Sequence, residues 1–150
     1  MTQKYTKPPI AQLKKELSAL SYEVTQHGAT EAPFLNKYNA HFAQGIYVDI
    51  ISGEPLFSST DKFESHCGWP SFTQAITENA ILTKADTTLG MNRIEVKSAI
   101  ADSHLGHVFD DGPQERGGKR FCINSAAITF IPKSELAAKG YAQFQKLFTT

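Results

Sequence analysis

The chain is poor in the residues that would settle its class at once. It has only two cysteines, Cys67 and Cys122, and one tryptophan, Trp69. Two cysteines are too few for a secreted disulfide scaffold; in a reducing compartment such thiols are either buried and inert or catalytic. No Cys-x-x-Cys pair occurs, which argues against a structural zinc site even though His104 and His107 lie three positions apart. There is no excess of either charge: Lys+Arg 15 balance Asp+Glu 15. Basic residues come only in pairs, Lys14-Lys15 and Lys119-Arg120, so no field or patch favours a nucleic-acid backbone. No apolar run approaches a membrane span, and the first residues lack the apolar stretch of a signal peptide. The expectation is a cytoplasmic protein that engages neither membrane nor nucleic acid. No coiled-coil pattern calls for a partner helix, so a monomer is expected.

What is present fits one folded domain over residues 1–150, with 41% hydrophobic and 20% charged residues. After Pro8-Pro9, residues 10–20 carry Leu13, Leu17 and Leu20 at helical spacing. Residues 21–33 read as irregular, and Phe34 to Ala43 as a short helix. From Gly45 the character turns to β. Ile46 to Ile51 and Leu56 to Ser58 flank a turn at Ser52-Gly53-Glu54-Pro55, a hairpin signal. Cys67 falls on a glycine- and proline-bearing loop. Ile76 to Ala85 reads as a helix, or as a helix running into a strand. Arg93 to Lys97 alternates as a half-exposed strand, and Leu105 to Phe109 is another candidate. Gln114 to Lys119 is a loop. Arg120 to Asn124 and Ala127 to Ile131 are two strands or one bulged strand. Ser134 reads as the N-cap of a closing helix, Glu135 to Phe148, weakened by Gly140. The fold class expected is mainly β (α+β), a β core with helices at both ends.

The chemistry concentrates near the cysteines. On a strand over Arg120 to Asn124, Phe121 and Ile123 face a core, while Arg120, Cys122 and Asn124 face the other way. A thiol beside a guanidinium is favoured as the nucleophilic thiolate. His104 and His107 would point to opposite faces of a straight strand; a bend at Gly106 would let them converge as proton donors. Trp69, two positions from Cys67, either plugs the core or walls a site for a small apolar group.

Five motifs then stand in order: Cys67-Gly68-Trp69-Pro70-Ser71-Phe72, Gly90-Met91-x-Arg93-Ile94-Glu95-Val96, His104-Leu105-Gly106-His107-Val108-Phe109, Asp111-Gly112-Pro113, and Arg120-Phe121-Cys122-Ile123-Asn124-Ser125-Ala126. Together they resemble the peptide-methionine (R)-S-oxide reductases, the B-type methionine sulfoxide reductases, over roughly Tyr22 to Phe148. The resemblance implies two antiparallel β-sheets with peripheral helices, and reduction of methionine-R-sulfoxide in oxidised proteins and peptides. It makes Cys122 the nucleophile, Cys67 the resolving cysteine, and Trp69 the wall for the substrate methyl group. His104, His107 and Asn124 become the polar groups around the sulfoxide oxygen. It implies no cofactor, and thioredoxin as the reductant of a Cys67–Cys122 disulfide. Many relatives bind a structural zinc through two Cys-x-x-Cys pairs. Here the matching positions are Asp49, Ser52, Ser98 and Ala101, so the chain resembles the zinc-free form. Two rivals remain open from the residues: another two-cysteine thiol enzyme such as a peroxidase, and a non-catalytic β-domain binding module.

Overall fold

The computed structural model describes residues 5–148. Its first helix, α1 (Ile10–Glu16), starts after Pro9 and buries Leu13. It is shorter than the leucine spacing predicts, because Leu17 turns extended and Ser18 begins a second helix. Ser18 Oγ accepts the backbone N–H of Ser21, the usual role of a serine N-cap. The second helix, α2 (Ala19–His27), occupies sequence expected to be irregular. Gly28, with φ 70°, ends it in the left-handed conformation. The His27-Gly28 pair that broke the periodicity is thus a helix terminus.

No helix forms over Phe34 to Ala43. Its backbone donors go to other parts of the chain: Phe34 N–H to Gly68 O at 2.7 Å and Tyr38 N–H to Ser125 Oγ at 3.0 Å. This segment acts as a strap across the β region.

Two antiparallel sheets make up that region. Strands β1 (Gly45–Asp49), β2 (Pro55–Ser58) and β9 (Ile128–Pro132) form a three-stranded sheet in the order β2-β1-β9. All five residues of β1 are buried, so the strand is covered on both faces rather than alternating between core and solvent. The second sheet has six strands: β3 (Lys62–Phe63), β4 (Ser71–Phe72), β5 (Ile81–Asp86), β6 (Arg93–Ser98), β7 (His104–Phe109) and β8 (Arg120–Ile123), in the order β3-β4-β8-β7-β6-β5. Residues 81–86 are therefore strand throughout, the outer partner of β6.

The main core lies between these sheets and α2, with Val24, Tyr47, Leu56, Phe57, Phe72, Val96, Leu105 and Ile123 all buried. Phe57 and Phe72 stack with ring centroids 4.5 Å apart. Each such side chain contributes roughly 1.5–3 kcal/mol by leaving water. A second cluster, Ile46, Val48, Ile131, Leu136, Tyr141 and Phe148, covers the three-stranded sheet with the C-terminal segment. That segment is not one helix. It forms 3₁₀ turns at Lys133–Glu135 and Ala142–Phe148, separated at Gly140 (φ 88°), and Ser134 lies inside the first turn rather than capping it. Gly140 supplies a left-handed kink that no continuing helix accommodates.

Candidate active site

Residues directly opposite one another in antiparallel strands share a face. Ser71 pairs Cys122, Cys122 pairs His107, His107 pairs Glu95, and Glu95 pairs Lys84. One row across five strands thus carries the second cysteine, a histidine and a carboxylate. Beside it runs a second row with Arg120 opposite Phe109 and Asp86 opposite Arg93. The opposite face of β8 sends Ile123 into the core and Phe121 against it, as the alternation predicts.

His104 joins this face through a bulge. Val96 pairs Gly106 but Lys97 pairs His104, so Leu105 is an extra residue on β7. An extra residue reverses the side-chain parity of the strand. Two histidines three apart therefore share a face, with ring centroids 5.5 Å apart. A bend at Gly106 is not the cause. Gly106 lacks a side chain for another reason: a Cβ there would stand 2.0 Å from Cys122 O.

Cys67 reaches the row from the loop joining β3 and β4. The loop turns tightly through positive φ at His66 (63°) and Gly68 (99°). Ser65 Oγ donates to Cys67 Sγ at 3.0 Å and lies 2.7 Å from Ser71 Oγ. The result is a contact of 3.5 Å between Cys67 Sγ and Cys122 Sγ, both thiols being free. Cys67 is drawn down to about 4, chiefly by the hydrogen bond with Cys122 and further by Ser65 and Ser71. The same contact and burial push Cys122 up, against the pull of the Arg120 guanidinium. The two thiols, in contact, titrate as one coupled pair.

Both thiols open on a cavity of about 240 Å³ lined by Thr30, Cys67, Trp69, Arg93, Gly106, His107, Phe109, Arg120, Cys122 and Asn124. Trp69 is a wall of this cavity, and its indole N–H donates to Glu31 O at 3.1 Å. His107 Nε2 lies 2.7 Å from Asp86 Oδ2. That contact, with Thr88, holds the Asp86 carboxyl well below the usual carboxylate range. Asn124 is buried; its Oδ1 accepts Glu31 N–H and its Nδ2 donates to Leu105 O. Much of its amide thus fixes the cavity's frame. Arg120 forks onto Asp111 at 2.8 and 3.2 Å and covers the Phe109 ring.

One expected site residue stands back. His104 is 4% exposed, does not line the cavity, and bonds Glu95 Oε2 through Nδ1 at 2.6 Å. Burial lowers its pKa, with Glu95 opposing. Thr30, Arg93 and Phe109 line the cavity although the sequence reading gave them no role, and Asp86 and Glu95 orient the histidines. Arg93, Glu95 and Phe109 sat inside quoted motifs. Asp86 lay just past the stretch 76–85, read as a helix or a helix running into a strand, and Thr30 and Glu31 carried no local signal.

The four positions matched to zinc ligands also converge. Asp49 Oδ1 accepts Ile51 N–H at 2.7 Å, Ser52 Oγ donates to Glu54, and the Glu54 carboxylate accepts Ile100 N–H and Ala101 N–H at 2.9 and 2.8 Å. Ser98 Oγ accepts Ser103 N–H at 3.0 Å. Two turns are thereby tied through Glu54. Among the described residues, no group of three or more His, Cys, Asp or Glu is placed to hold a metal ion.

The SelR domain family model matches residues 17–132. It begins before Tyr22 and stops at Pro132, short of the C-terminal 3₁₀ turns. With that match spanning both cysteines and every residue of the cavity, the chain belongs to the SelR domain family, the B-type methionine-R-sulfoxide reductases.

Proposed function

We propose that the protein reduces methionine-R-sulfoxide in oxidised proteins and peptides through a cysteine sulfenic acid, a Cys67–Cys122 disulfide, and re-reduction by thioredoxin. The observation that carries this is the 3.5 Å contact between the two sulfurs at the wall of a cavity that also holds Trp69 and His107. The substrate presents an electrophilic sulfur, a polar oxygen and a methyl group. Trp69 gives the methyl an apolar wall. The proton of Cys122 passes to Cys67, and the Cys122 thiolate attacks the sulfoxide sulfur. With His107 Nε2 turned to Asp86, Nδ1 remains to give the oxygen a proton. The bond between the two sulfurs and the substrate S–O bond then break as the protonated oxygen passes to Cys122, which leaves Cys122–SOH and methionine. Cys67 then attacks the Cys122 sulfur, and the hydroxyl leaves as water once protonated. The proton that Cys67 received from Cys122 goes to that water, and Ser65 Oγ, 3.0 Å from Cys67 Sγ, supports the attacking sulfur. Thioredoxin has a reduction potential low enough to return the disulfide to two thiols. This reading assigns the protein to the cytoplasm, as a monomer, where such a dithiol is maintained.

The test is an R-sulfoxide peptide with a small dithiol, and the S epimer as control. Turnover of the R epimer with none of the S epimer is expected. Equal turnover of both, or peroxide consumption without sulfoxide reduction, would transfer the site to a peroxidase-like thiol enzyme.

A further inference from the structure

Two walls of the cavity hang from one residue outside it. Glu31, on the segment after α2, is 5% exposed and does not line the cavity. Its backbone carbonyl accepts the Trp69 indole N–H at 3.1 Å, and its backbone N–H donates to Asn124 Oδ1 at 3.0 Å. Trp69 and Asn124 both line the cavity, and they arrive from different parts of the fold, the loop before β4 and the turn after β8. One peptide residue thus spans from the indole wall to the buried amide.

The side chain fixes Glu31 to the second of these. Its carboxylate accepts the Ser125 N–H and, at 2.9 Å, the Ala126 N–H, from the two residues that follow Asn124. A carboxylate this deep costs stability unless its oxygens are held. Burial raises its pKa, and those N–H groups oppose the rise. Two N–H donors side by side need two acceptors. A carboxylate supplies both; a glutamine amide supplies one oxygen and sets an NH₂ against the other donor. The same segment grips the Trp69 loop again at Gly68 O, which accepts Phe34 N–H and Asn36 Nδ2, each at 2.7 Å.

We infer that Glu31 is a positioning residue that sets how far Trp69 stands from Cys122, and thereby restricts the group on the sulfoxide sulfur to a methyl. The inference rests on the proposed function, in which Trp69 walls the methyl group. An apolar pocket discriminates a single methylene by about 10–200-fold, and only while its wall does not yield. An indole held at Nε1 cannot swing back to admit a longer chain. The hold is as firm as Glu31 itself, which the turn at 124–126 grips through both its backbone and its carboxylate.

Two measurements test it. Trp69 is the only tryptophan, so a proton–nitrogen NMR correlation spectrum shows a single indole N–H resonance. In Glu31→Gln this resonance is expected to shift upfield and its exchange with water to quicken about tenfold, the scale of one lost hydrogen bond. An unmoved resonance overturns the inference. Second, single-turnover rates are compared on two peptides, one carrying the R-sulfoxide of methionine and the other the corresponding sulfoxide of ethionine, with an ethyl group in place of the methyl. The unaltered protein is expected to prefer the methyl peptide about tenfold or more, Glu31→Gln to lower that ratio about fivefold, and Trp69→Ala to abolish it. In the Trp69→Ala background, Glu31→Gln changes the ratio no further. A ratio left unchanged in Glu31→Gln while both rates fall together marks a residue that only supports the fold, and overturns the inference. Equal rates on the two peptides in the unaltered protein overturn it as well. Should Glu31→Gln not fold, Glu31→Asp, which keeps the charge on a shorter arm, is judged by the same two measurements and the same outcomes. If the unaltered protein reduces neither peptide, the proposed function falls, and the indole resonance still judges by itself whether Glu31 holds Trp69.

Discussion

At the scale of single residues, the proposed function gives the two sulfurs in contact separable duties. Cys122→Ser removes the attacking atom, so sulfoxide reduction is expected to vanish with every reductant. Cys67→Ser leaves that atom in place. A small dithiol reaches the Cys122 sulfenic acid directly, so dithiothreitol turnover persists while most thioredoxin turnover is lost. Parallel steady-state assays check this, and equal losses would remove the resolving role. His107 is next in the row. His107→Ala is expected to slow the single-turnover step by about a hundredfold or more, the scale of a positioned general acid. Asp86 holds His107 at 2.7 Å and also lies 3.7 Å from Arg93 of the cavity wall, which makes it a positioning residue. Asp86→Asn therefore slows the same step, and by much less in the His107→Ala background, where only the Arg93 contact is left to lose. Additive losses in that double-mutant cycle would separate the two.

At the scale of elements, the site depends on one bulge and one close crossing. Leu105 supplies the parity change that puts His104 on the face of His107, and Gly106 lets β7 lie against Cys122. Gly106→Ala sets a Cβ against backbone that has no flexible end to yield. Overpacking of this kind costs about 1–3 kcal/mol. A lower urea midpoint is expected, with a larger loss of single-turnover rate than of stability at half denaturation, because the displaced atom belongs to Cys122. The strand around Cys122 was legible from its alternation, as was the exposed alternation of β6, since period-two patterns report a single strand faithfully. The bulge was not: histidines at i and i+3 carry no mark of the extra residue between them. The helices expected at 34–43 and 135–148 do not form as such. Their apolar spacing suits a helix, but Phe34 and Gly140 sit at positive φ, and the donors of the 34–38 strap belong to Gly68 and Ser125. Such long-range hydrogen bonds have no local signature. The contact of Cys67 with Cys122, 55 positions apart, is equally invisible to spacing; only the motif set anticipated it.

At the scale of the molecule, the fold joins its two sheets near Asp49 and Ser98 with buried carboxylates and turn hydrogen bonds, where cysteine pairs would hold a metal. Glu54 accepts three donors there, and Glu54→Ala strands the Ile100 and Ala101 N–H groups. The Ala101 N–H is buried, and a buried donor left unpaired costs about 1–3 kcal/mol, so a fall in the urea midpoint is expected. Asp49 behaves differently. It is 1% exposed, and burial raises its pKa, with the Ser98 hydroxyl and the Ile51 N–H opposing. The folded state therefore binds the Asp49 proton more tightly than the unfolded chain does. Between the ordinary carboxylate pKa and the raised one, the fold holds more protons, so this group's contribution to stability falls as pH rises through that window. At neutral pH the charged, buried carboxylate opposes folding; on acidification it protonates in the fold first, and the opposition is relieved. Asp49→Asn keeps an oxygen for the Ile51 N–H and removes the charge. The variant should gain on the parent at neutral pH and lose that gain as pH falls into the ordinary carboxylate range. Urea unfolding of both proteins across that range measures it. A stability difference that does not change with pH would mean that Asp49 is held as an ion at no cost, and that the carboxylate cluster joins the sheets by charge rather than in spite of it.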